Sequence, residues 1–225
     1  MTKVIGLVPL RAGSKGLPGK NTRNLLGKPL YRHATDQALR VLGDVVVSTD
    51  IAAILANPAP GVQVRERPAN LAADSSPMDG VIHDVITQGG LQDHTIVLLQ
   101  ATSPLRQDDD IRQALALHET GDFDLVMSVT STDPGFLKYG SLQGGRYVPV
   151  ARPEYCFSNR QSLPVMMRPN GAIYVFRADS FLRNAGLACT NIGAFEMPNA
   201  RSMDIDTGAD FDAVEAVMQA TRGQL

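Results

Sequence analysis

Residues 4–21 read VIGLVPLRAGSKGLPGKN, an apolar run followed by a loop rich in glycine and positive charge. The run Val4–Leu10 has the length and composition of a buried strand. Glycine recurs at positions 13, 16 and 19, and residues 11–28 hold no acidic side chain. The same segment holds five basic residues: Arg11, Lys15, Lys20, Arg23 and Lys28. A strand leading into such a loop predicts an anion site at the strand's carboxyl end.

Beyond this stretch, short apolar runs alternate with helical patterns. Further strands are predicted at Val45–Ser48, Val62–Arg65, Ile96–Gln100, Leu125–Val129, Ala172–Phe176 and Gly193–Met197. Helices are predicted at Leu30–Leu42, Met78–Gln88, Asp109–Glu119, Ala178–Ala185 and Ala209–Thr221. This alternation predicts a three-layer α/β fold, with a mostly parallel sheet covered by helices on both faces. Ligands of such sheets bind at the carboxyl ends of the strands.

Residues 132–161 interrupt the alternation. Two extended pieces, Phe136–Leu142 and Arg146–Val150, flank Gln143-Gly144-Gly145 and predict a β-hairpin without a covering helix. We interpret this segment as a lobe inserted into a single domain of residues 1–225, and we expect it to pack on a second subunit. A flap folded onto its own domain is the alternative.

Composition excludes several classes of protein. A net charge of −2 and a pI near 6.1 argue against sequence-independent binding of nucleic acid. No apolar run has the roughly 18 residues that a membrane span needs, and no secretory leader is evident. We therefore expect a cytoplasmic protein without a membrane partner. Cys156 and Cys189 are far apart in the sequence and predict no disulfide framework.

The basic loop predicts a phosphate site without specifying the ligand. Neither the Walker A spacing nor the Gly-x-Gly-x-x-Gly dinucleotide spacing is present. Backbone amides, exposed by glycine, together with arginine and lysine side chains suit a triphosphate. A solvated structural loop is the alternative, but such a loop has no need of cations without acidic partners.

Several motifs extend this pattern through the chain. They are Arg11–Asn21, Gly27–Leu30, Ser48–Asp50, Arg67–Ala72 with Asp74, Leu98–Arg106, Arg168–Tyr174 and Asp204–Thr207. In these motifs and their order, the chain resembles the acylneuraminate cytidylyltransferases (CMP-sialic acid synthetases). Related enzymes of that family activate legionaminic and pseudaminic acids. The resemblance implies a Rossmann-like nucleotidyltransferase fold.

The resemblance also implies a nucleotide site on the basic loop. Its residues would be Leu10, Arg11, Ala12, Gly13, Ser14, Lys15, Lys20 and Asn21, with Arg67 and Asp79. Arg11, Lys15 and Lys20 would act in catalysis by stabilising charge on the leaving pyrophosphate. Asn21 would read the nucleotide or anchor the loop. Arg67 and Asp79 could equally be surface residues in local ion pairs.

Asp204 and Asp206 form a candidate metal site. In an extended segment both carboxylates would lie on one face, which suits a hard cation. In similar enzymes this pair holds the catalytic Mg²⁺, for which Mn²⁺ can substitute. The alternative is a helix cap, in which Asp206 or Thr207 begins a box completed by Asp210. Both roles can hold together.

The resemblance places an acidic sugar beside the nucleotide. Gln100 would contact the sugar, and Thr102 and Ser103 would shape its pocket; the family usually has proline where this chain has Ala101. The sugar carboxylate would meet arginine, which binds carboxylates through paired hydrogen bonds. The candidates are Arg160 and Arg168, with Asn170 nearby and Lys138 reaching across a dimer.

The implied reaction transfers CMP from CTP to the anomeric hydroxyl of a nine-carbon acidic sugar, with release of pyrophosphate. Two alternatives remain: a 3-deoxy-octulosonate or another sugar acceptor, and a catalytically silent nucleotide-binding module. The sequence leaves the acyl and amino groups of the sugar open. We expect a homodimer and no fused phosphatase or esterase domain.

Overall fold

The structure, a computed structural model, describes residues 3–222. Its strands are β1 (Lys3–Pro9), β2 (Asn24–Leu25), β3 (Lys28–Pro29), β4 (Val45–Thr49), β5 (Val62–Glu66), β6 (His94–Leu99), β7 (Leu125–Thr132), β8 (Gly140–Gln143), β9 (Arg146–Pro149), β10 (Met166–Arg177) and β11 (Ile192–Glu196). Its helices are α1 (Leu30–Leu42), α2 (Ala52–Ala56), α3 (Met78–Gly89), α4 (Asp108–Glu119), α5 (Ala178–Asn184) and α6 (Gly208–Arg222). None of the helices in the described range is long and apolar enough to cross a bilayer.

A seven-stranded sheet forms the centre of the fold, in the order β11-β7-β10-β6-β1-β4-β5. All of these strands run in one direction except β10, which is antiparallel to both of its neighbours. The predicted mostly parallel sheet is therefore confirmed. Because β10 is reversed, its first half lies at the edge of the sheet where β6 and β7 end.

Helices cover both faces of the sheet. On one face, α1 and α4 pack through Ala34, Ala38, Ile111 and Ala114. On the other face, α3 and α5 pack through Ile82, Val85, Ile86 and Phe181. In β1, Ile5 and Leu7 face one layer and Val8 faces the other. Since β1 is buried on both sides, its sequence is a continuous apolar run rather than an alternating one.

A third apolar cluster attaches the last helix to the basic loop. Phe211 and Val214 of α6 pack with Leu17 and Leu25 from the amino-terminal region, and Ile205 is fully buried among them. The cluster brings the segment before α6 against residues nearly two hundred positions earlier.

Strand β10 and helix α2 differ from the sequence prediction. Strand β10 was predicted at Ala172–Phe176 but begins at Met166, because a register shift between Pro169 and Tyr174 absorbs the proline and glycine. Gly171 has φ +78° within this irregular part. Helix α2 was not predicted, because five residues are too few to establish a helical period.

The predicted hairpin is present as β8 and β9. Gly144 and Gly145 connect the strands with φ values of +54° and +80°, as a two-residue hairpin turn with positive φ at both positions requires. The first strand begins later than predicted, because Pro134–Lys138 form a 3₁₀ turn. The division into a single domain with an inserted lobe at residues 132–161 stays a prediction, and its range of residues 1–225 extends outside the described residues at both ends.

Candidate active site

A polar cleft of about 240 Å³ opens at the carboxyl edge of the sheet. It brings together the basic loop, the end of β6, the irregular part of β10 and the segment before α6. The lining residues are Pro9, Arg11, Ser14, Lys20, Asn21, Arg67, Met78, Gln100, Ala101, Thr102, Gly171, Asp204 and Asp206.

The three glycines of the basic loop serve different purposes. A Cβ on Gly16 would lie 2.4 Å from the carbonyl oxygen of Asp206, so only a hydrogen fits there. Gly19 has φ +66°, in the left-handed region that favours glycine. Gly13 has neither constraint: it is exposed, and no atom lies within 4 Å of the position that a Cβ would take there. Its backbone is therefore accessible to a ligand.

Two hydrogen bonds hold the start of the loop. The backbone amide of Ala12 donates to Asp50 Oδ1 at 2.7 Å. The side-chain amide of Asn21 donates to the carbonyl oxygen of Arg11 at 2.9 Å, which makes Asn21 an anchor of the loop. Leu10 is buried in the core rather than in the cleft.

The loop cations do have acidic or aromatic partners, and the expectation that they lack them was wrong. The partners come from distant parts of the chain, which is why the local sequence did not show them. Arg11 and Lys15 pair with Asp74, Lys20 pairs with Asp206, Lys28 pairs with Asp36, and Arg23 lies over the ring of Phe211.

Asp74 joins the two outer cations. Its Oδ2 accepts from the Lys15 ammonium at 2.7 Å, and its Oδ1 accepts from the Arg11 guanidinium. Hydrogen bonds from Lys15 and Arg11 lower the pKa of Asp74 below its ordinary value. Asp74 therefore stays ionised at neutral pH.

Lys20 joins the loop to the segment before α6. Its buried ammonium donates to the carbonyl oxygen of Ile205 and lies 3.1 Å from Asp206 Oδ1. One buried cation thus connects the amino-terminal loop to the candidate metal ligands.

Asp204 and Asp206 both face the cleft, with Ile205 buried between them. Asp204 is open to solvent along the cleft but surrounded by protein on its other sides. This partial desolvation raises the pKa of Asp204; the charge of Asp206 also raises it, while a hydrogen bond with Thr102 and the charge of Lys20 lower it.

These two carboxylates fit a hard divalent cation. A cation held by both carboxylates would favour their charged forms, against the desolvation and the charge of Asp206 that raise the pKa of Asp204. Within residues 3–222, no group of three or more His, Cys, Asp or Glu side chains is arranged to hold a metal ion. Mg²⁺ commonly takes one or two carboxylates and completes its shell with phosphates and water, so a two-carboxylate site suits it.

The predicted helix-capping box is also present, and Thr207 rather than Asp206 begins it. Thr207 and Asp210 bond reciprocally: Asp210 Oδ2 accepts from the Thr207 amide at 2.8 Å, and Thr207 Oγ1 accepts from the Asp210 amide. Asp206 contributes only its backbone amide to this box. Its carboxylate is therefore left facing the cleft.

A buried arginine organises the loop after β6. Arg106 is 4% exposed and donates to the carbonyl oxygens of Gln100 and Ala172 and to the side chain of Gln37. Burial lowers the pKa of Arg106 to about 10, which still leaves it protonated at neutral pH. Sequence reasoning assigned it no role.

The residues after β6 that were predicted to contact the sugar lie in different positions. Gln100 and Thr102 line the cleft, as does Ala101. Ser103 is 2% exposed, and its hydroxyl has no hydrogen-bond partner among residues 3–222. It lies behind the cleft wall.

Arg168 and Asn170, both in the irregular part of β10, differ in burial. Arg168 is exposed, and its guanidinium has no hydrogen-bond partner in the described part of the chain. Asn170 is buried; its Oδ1 accepts from Ser128 Oγ at 2.6 Å and its Nδ2 donates to Ser202 Oγ at 2.9 Å. The buried amide thus holds the backbone that presents Gly171 to the cleft.

Arg160 and Lys138 lie in the lobe and do not line the cleft. Arg160 pairs with Asp133 at 3.1 Å, with both side chains exposed. Lys138 donates to the carbonyl oxygen of Ser158. Within one chain, the structure does not bring either residue to the basic loop.

Arg67 and Asp79 also separate. Arg67 is buried, lines the cleft and donates to the carbonyl oxygen of Ser48 at 3.0 Å. Burial lowers the pKa of Arg67. Asp79 accepts from the Leu187 amide at 3.3 Å and is absent from the cleft lining.

Some residues of the site had been given no role from sequence. Pro9, Met78 and Gly171 line the cleft, and Asp50 and Asp74 hold the basic loop. The available signal was that Asp50, Asp74 and Gly171 lie in the motifs quoted above, and that Pro9 ends the first strand. Their contacts depend on chain segments that only the fold brings together.

Comparison with known proteins identifies relatives over most of the chain. A family model described as "Cytidylyltransferase" matches residues 5–181. An N-acylneuraminate cytidylyltransferase of Streptococcus agalactiae is 32% identical over 216 residues, which cover 93% of this chain and 52% of the relative. The chain therefore spans about half the length of that relative.

A second relative matches along its full length. The CMP-N,N'-diacetyllegionaminic acid synthase of Legionella pneumophila is 31% identical over 236 residues, covering 99% of each chain. Among solved structures, a CMP:2-keto-3-deoxy-manno-octonic acid synthetase complexed with CTP superposes with a TM-score of 0.74 at 20% identity. The alignment covers 98% of this chain and 100% of that one, which supports the fold assignment.

Replacing Gly16 with Ala is expected to lower the free energy of unfolding by about 1–3 kcal/mol, because the added Cβ would overlap the carbonyl oxygen of Asp206. The matched control is Gly13→Ala, which should change stability by less than about 0.5 kcal/mol. Urea unfolding of both variants checks this. Equal stability would mean that the loop does not pack on Asp206.

Proposed function

We propose, from the premise that this chain belongs to the cytidylyltransferase family, that it transfers CMP from CTP to a nine-carbon acidic sugar. The sugar is of the N-acylneuraminate, legionaminate or pseudaminate type, as the names of the relatives suggest. One observation carries the proposal: a loop of cations and a pair of carboxylates face each other across one cleft.

The reaction joins the anomeric oxygen of the sugar to the α-phosphorus of CTP and breaks the bond to pyrophosphate. Arg11, Lys15 and Lys20 stabilise the charge that moves onto the leaving pyrophosphate. Because Lys20 is already held by Ile205 and Asp206, it needs little rearrangement during the reaction. The open backbone at Gly13 and the side chain of Ser14 bind phosphate oxygens, and Arg67 lies on the nucleotide side.

Asp204 and Asp206 would hold Mg²⁺, with Mn²⁺ able to replace it. Such a metal neutralises phosphate charge and lowers the pKa of an attacking hydroxyl. The chain's own contribution is to keep both carboxylates in the cleft, through the Thr207–Asp210 cap and the buried Ile205.

The sugar binds beside Gln100 and Thr102, with its carboxylate toward Arg168. The support for Arg168 is a guanidinium that is exposed, without a partner among residues 3–222, and three positions from Gly171 in the cleft wall. Ser103 and Asn170 remain in the predicted sugar set, although Asn170 is already bonded to Ser128 and Ser202. The proposal also includes a contact of Asp79 with the ribose or base.

A homodimer is part of the same proposal. Large apolar side chains are exposed on the lobe: Tyr139 at 67%, Leu142 at 78% and Phe157 at 91%. Burying them against a second copy would remove this surface from water. Lys138 and Arg160 lie on the same lobe and would reach the partner's cleft. A cytoplasmic location also belongs to the proposal.

The central test is an assay of purified protein with CTP, Mg²⁺ and a panel of nonulosonic acids, following pyrophosphate release. We expect release with at least one of them and a loss of about 100-fold or more in Asp206→Asn, since metal binding contributes several kcal/mol to charge stabilisation. The control is Asp212→Asn on the exposed face of α6. A 3-deoxy-octulosonate is assayed beside the panel; activity with it alone would select that alternative, and no activity with any of these sugars would refute the proposal.

Arg168→Ala should raise KM for the sugar by about 10- to 100-fold, which corresponds to one hydrogen-bonded charge contact, and leave KM for CTP nearly unchanged. Arg112→Ala, an exposed arginine of α4, serves as the control. Steady-state kinetics in each substrate separates the two effects. Equal losses for CTP and the sugar would place the sugar pocket elsewhere.

Phe157→Asp should convert the dimer to a monomer, because a charge at a 91% exposed position cannot be buried without cost. Val217→Asp, at an exposed apolar position of α6, is the matched control. Light scattering coupled to size-exclusion chromatography measures the mass. A monomeric unsubstituted protein, or an unchanged dimer in Phe157→Asp, would rule out the lobe as the interface.

A further inference from the structure

The outer cations of the basic loop are occupied by one carboxylate of the chain itself. Asp74 places one oxygen on the Arg11 guanidinium and the other on the Lys15 ammonium, the latter at 2.7 Å. A phosphate group bridging the same two cations would use the same donors. Arg11 and Lys15 therefore cannot both bind Asp74 and bind a bridging phosphate group at the same time.

Asp74 is placed so that it can leave. It lies in the segment between Leu71 and α3, outside any helix or strand, and its side chain is 36% exposed. Lys15 is 83% exposed, so its ammonium can turn to a ligand without breaking a packed contact. Lys20, in contrast, is buried and remains with Ile205 and Asp206. The loop thus has one fixed inner cation and two outer cations that are free to exchange partners.

We propose that Asp74 is an internal competitor of the phosphate chain: it holds Arg11 and Lys15 in the free protein, and CTP displaces it. The inference rests on the proposed function. A triphosphate carries several negative charges against one carboxylate, so CTP prevails at sufficient concentration. After CMP transfer, Asp74 recaptures the two cations and promotes release of pyrophosphate. Asp74 is thus an affinity-setting residue that weakens phosphate binding.

The test is isothermal titration calorimetry with CTP and, separately, with inorganic pyrophosphate. Asp74→Asn should bind both ligands about 3- to 20-fold more tightly than the unsubstituted protein, the range expected from losing two exposed ion pairs. It should also show stronger product inhibition by pyrophosphate. The amide of Asp74→Asn could itself donate a hydrogen bond to the ligand. Asp74→Ala lacks this donor and should show the same increase in affinity.

The control is Asp122→Asn, which makes the same change in net charge at an exposed position without an ion pair in the described residues. It should leave both dissociation constants unchanged. Equal or weaker binding by Asp74→Asn and Asp74→Ala would overturn the inference and show that Asp74 instead orients the cations for the ligand. If the unsubstituted protein binds neither CTP nor pyrophosphate, the proposed function fails and the inference fails with it.

Discussion

The guanidinium of Arg106 holds the carboxyl edge of the sheet together. It donates to backbone oxygens at the end of β6 and within β10, and to Gln37 of α1. Its hydrogen-bond acceptors are neutral oxygens, so the charge itself is compensated only at a distance, by Asp108 and Asp110. A buried cation of this kind is costly unless its donors are satisfied. The loop that carries Gln100 and Thr102 is therefore constrained to one arrangement.

The cleft depends on a second long-range constraint, the contact between the basic loop and the segment before α6. Gly16 allows the basic loop to approach the backbone of Asp206, and Lys20 spans the remaining gap. The apolar cluster that contains Ile205 and Phe211 stabilises this contact, because it buries side chains of both segments together. The cations of the basic loop and the carboxylates of Asp204 and Asp206 thus face each other, because a glycine, a lysine and an apolar cluster all bring the two segments together.

Charge in the cleft is balanced before any ligand arrives. The cations of the basic loop meet Asp74 and Asp206, while Asp50 accepts a backbone amide of the same loop. A free cluster of like charges would repel itself and destabilise the fold. Acidic residues from other segments relieve this repulsion.

The sequence by itself determined the architecture, because apolar runs and helical periods are local properties. The strands of the sheet, the five longer helices and the hairpin followed from them, as did the location of the basic loop after β1. The motifs also identified the family, since the sequence alone shows both the motifs and their order. Local reasoning failed for the extension of β10, because a bulge stabilised by Asn170 and Ser128 joins a strand across proline and glycine.

Only the tertiary structure decided which side chains meet. Asp74 and the loop cations, Lys20 and Asp206, and Arg106 and Ala172 are paired across large separations in sequence, and no local pattern encodes such partners. The same limit explains why Asn170 faces the interior while Arg168 faces solvent, although they lie in one motif. Secondary structure is set by neighbouring residues, whereas hydrogen bonds and ion pairs between segments are set by how the sheet and its helices pack.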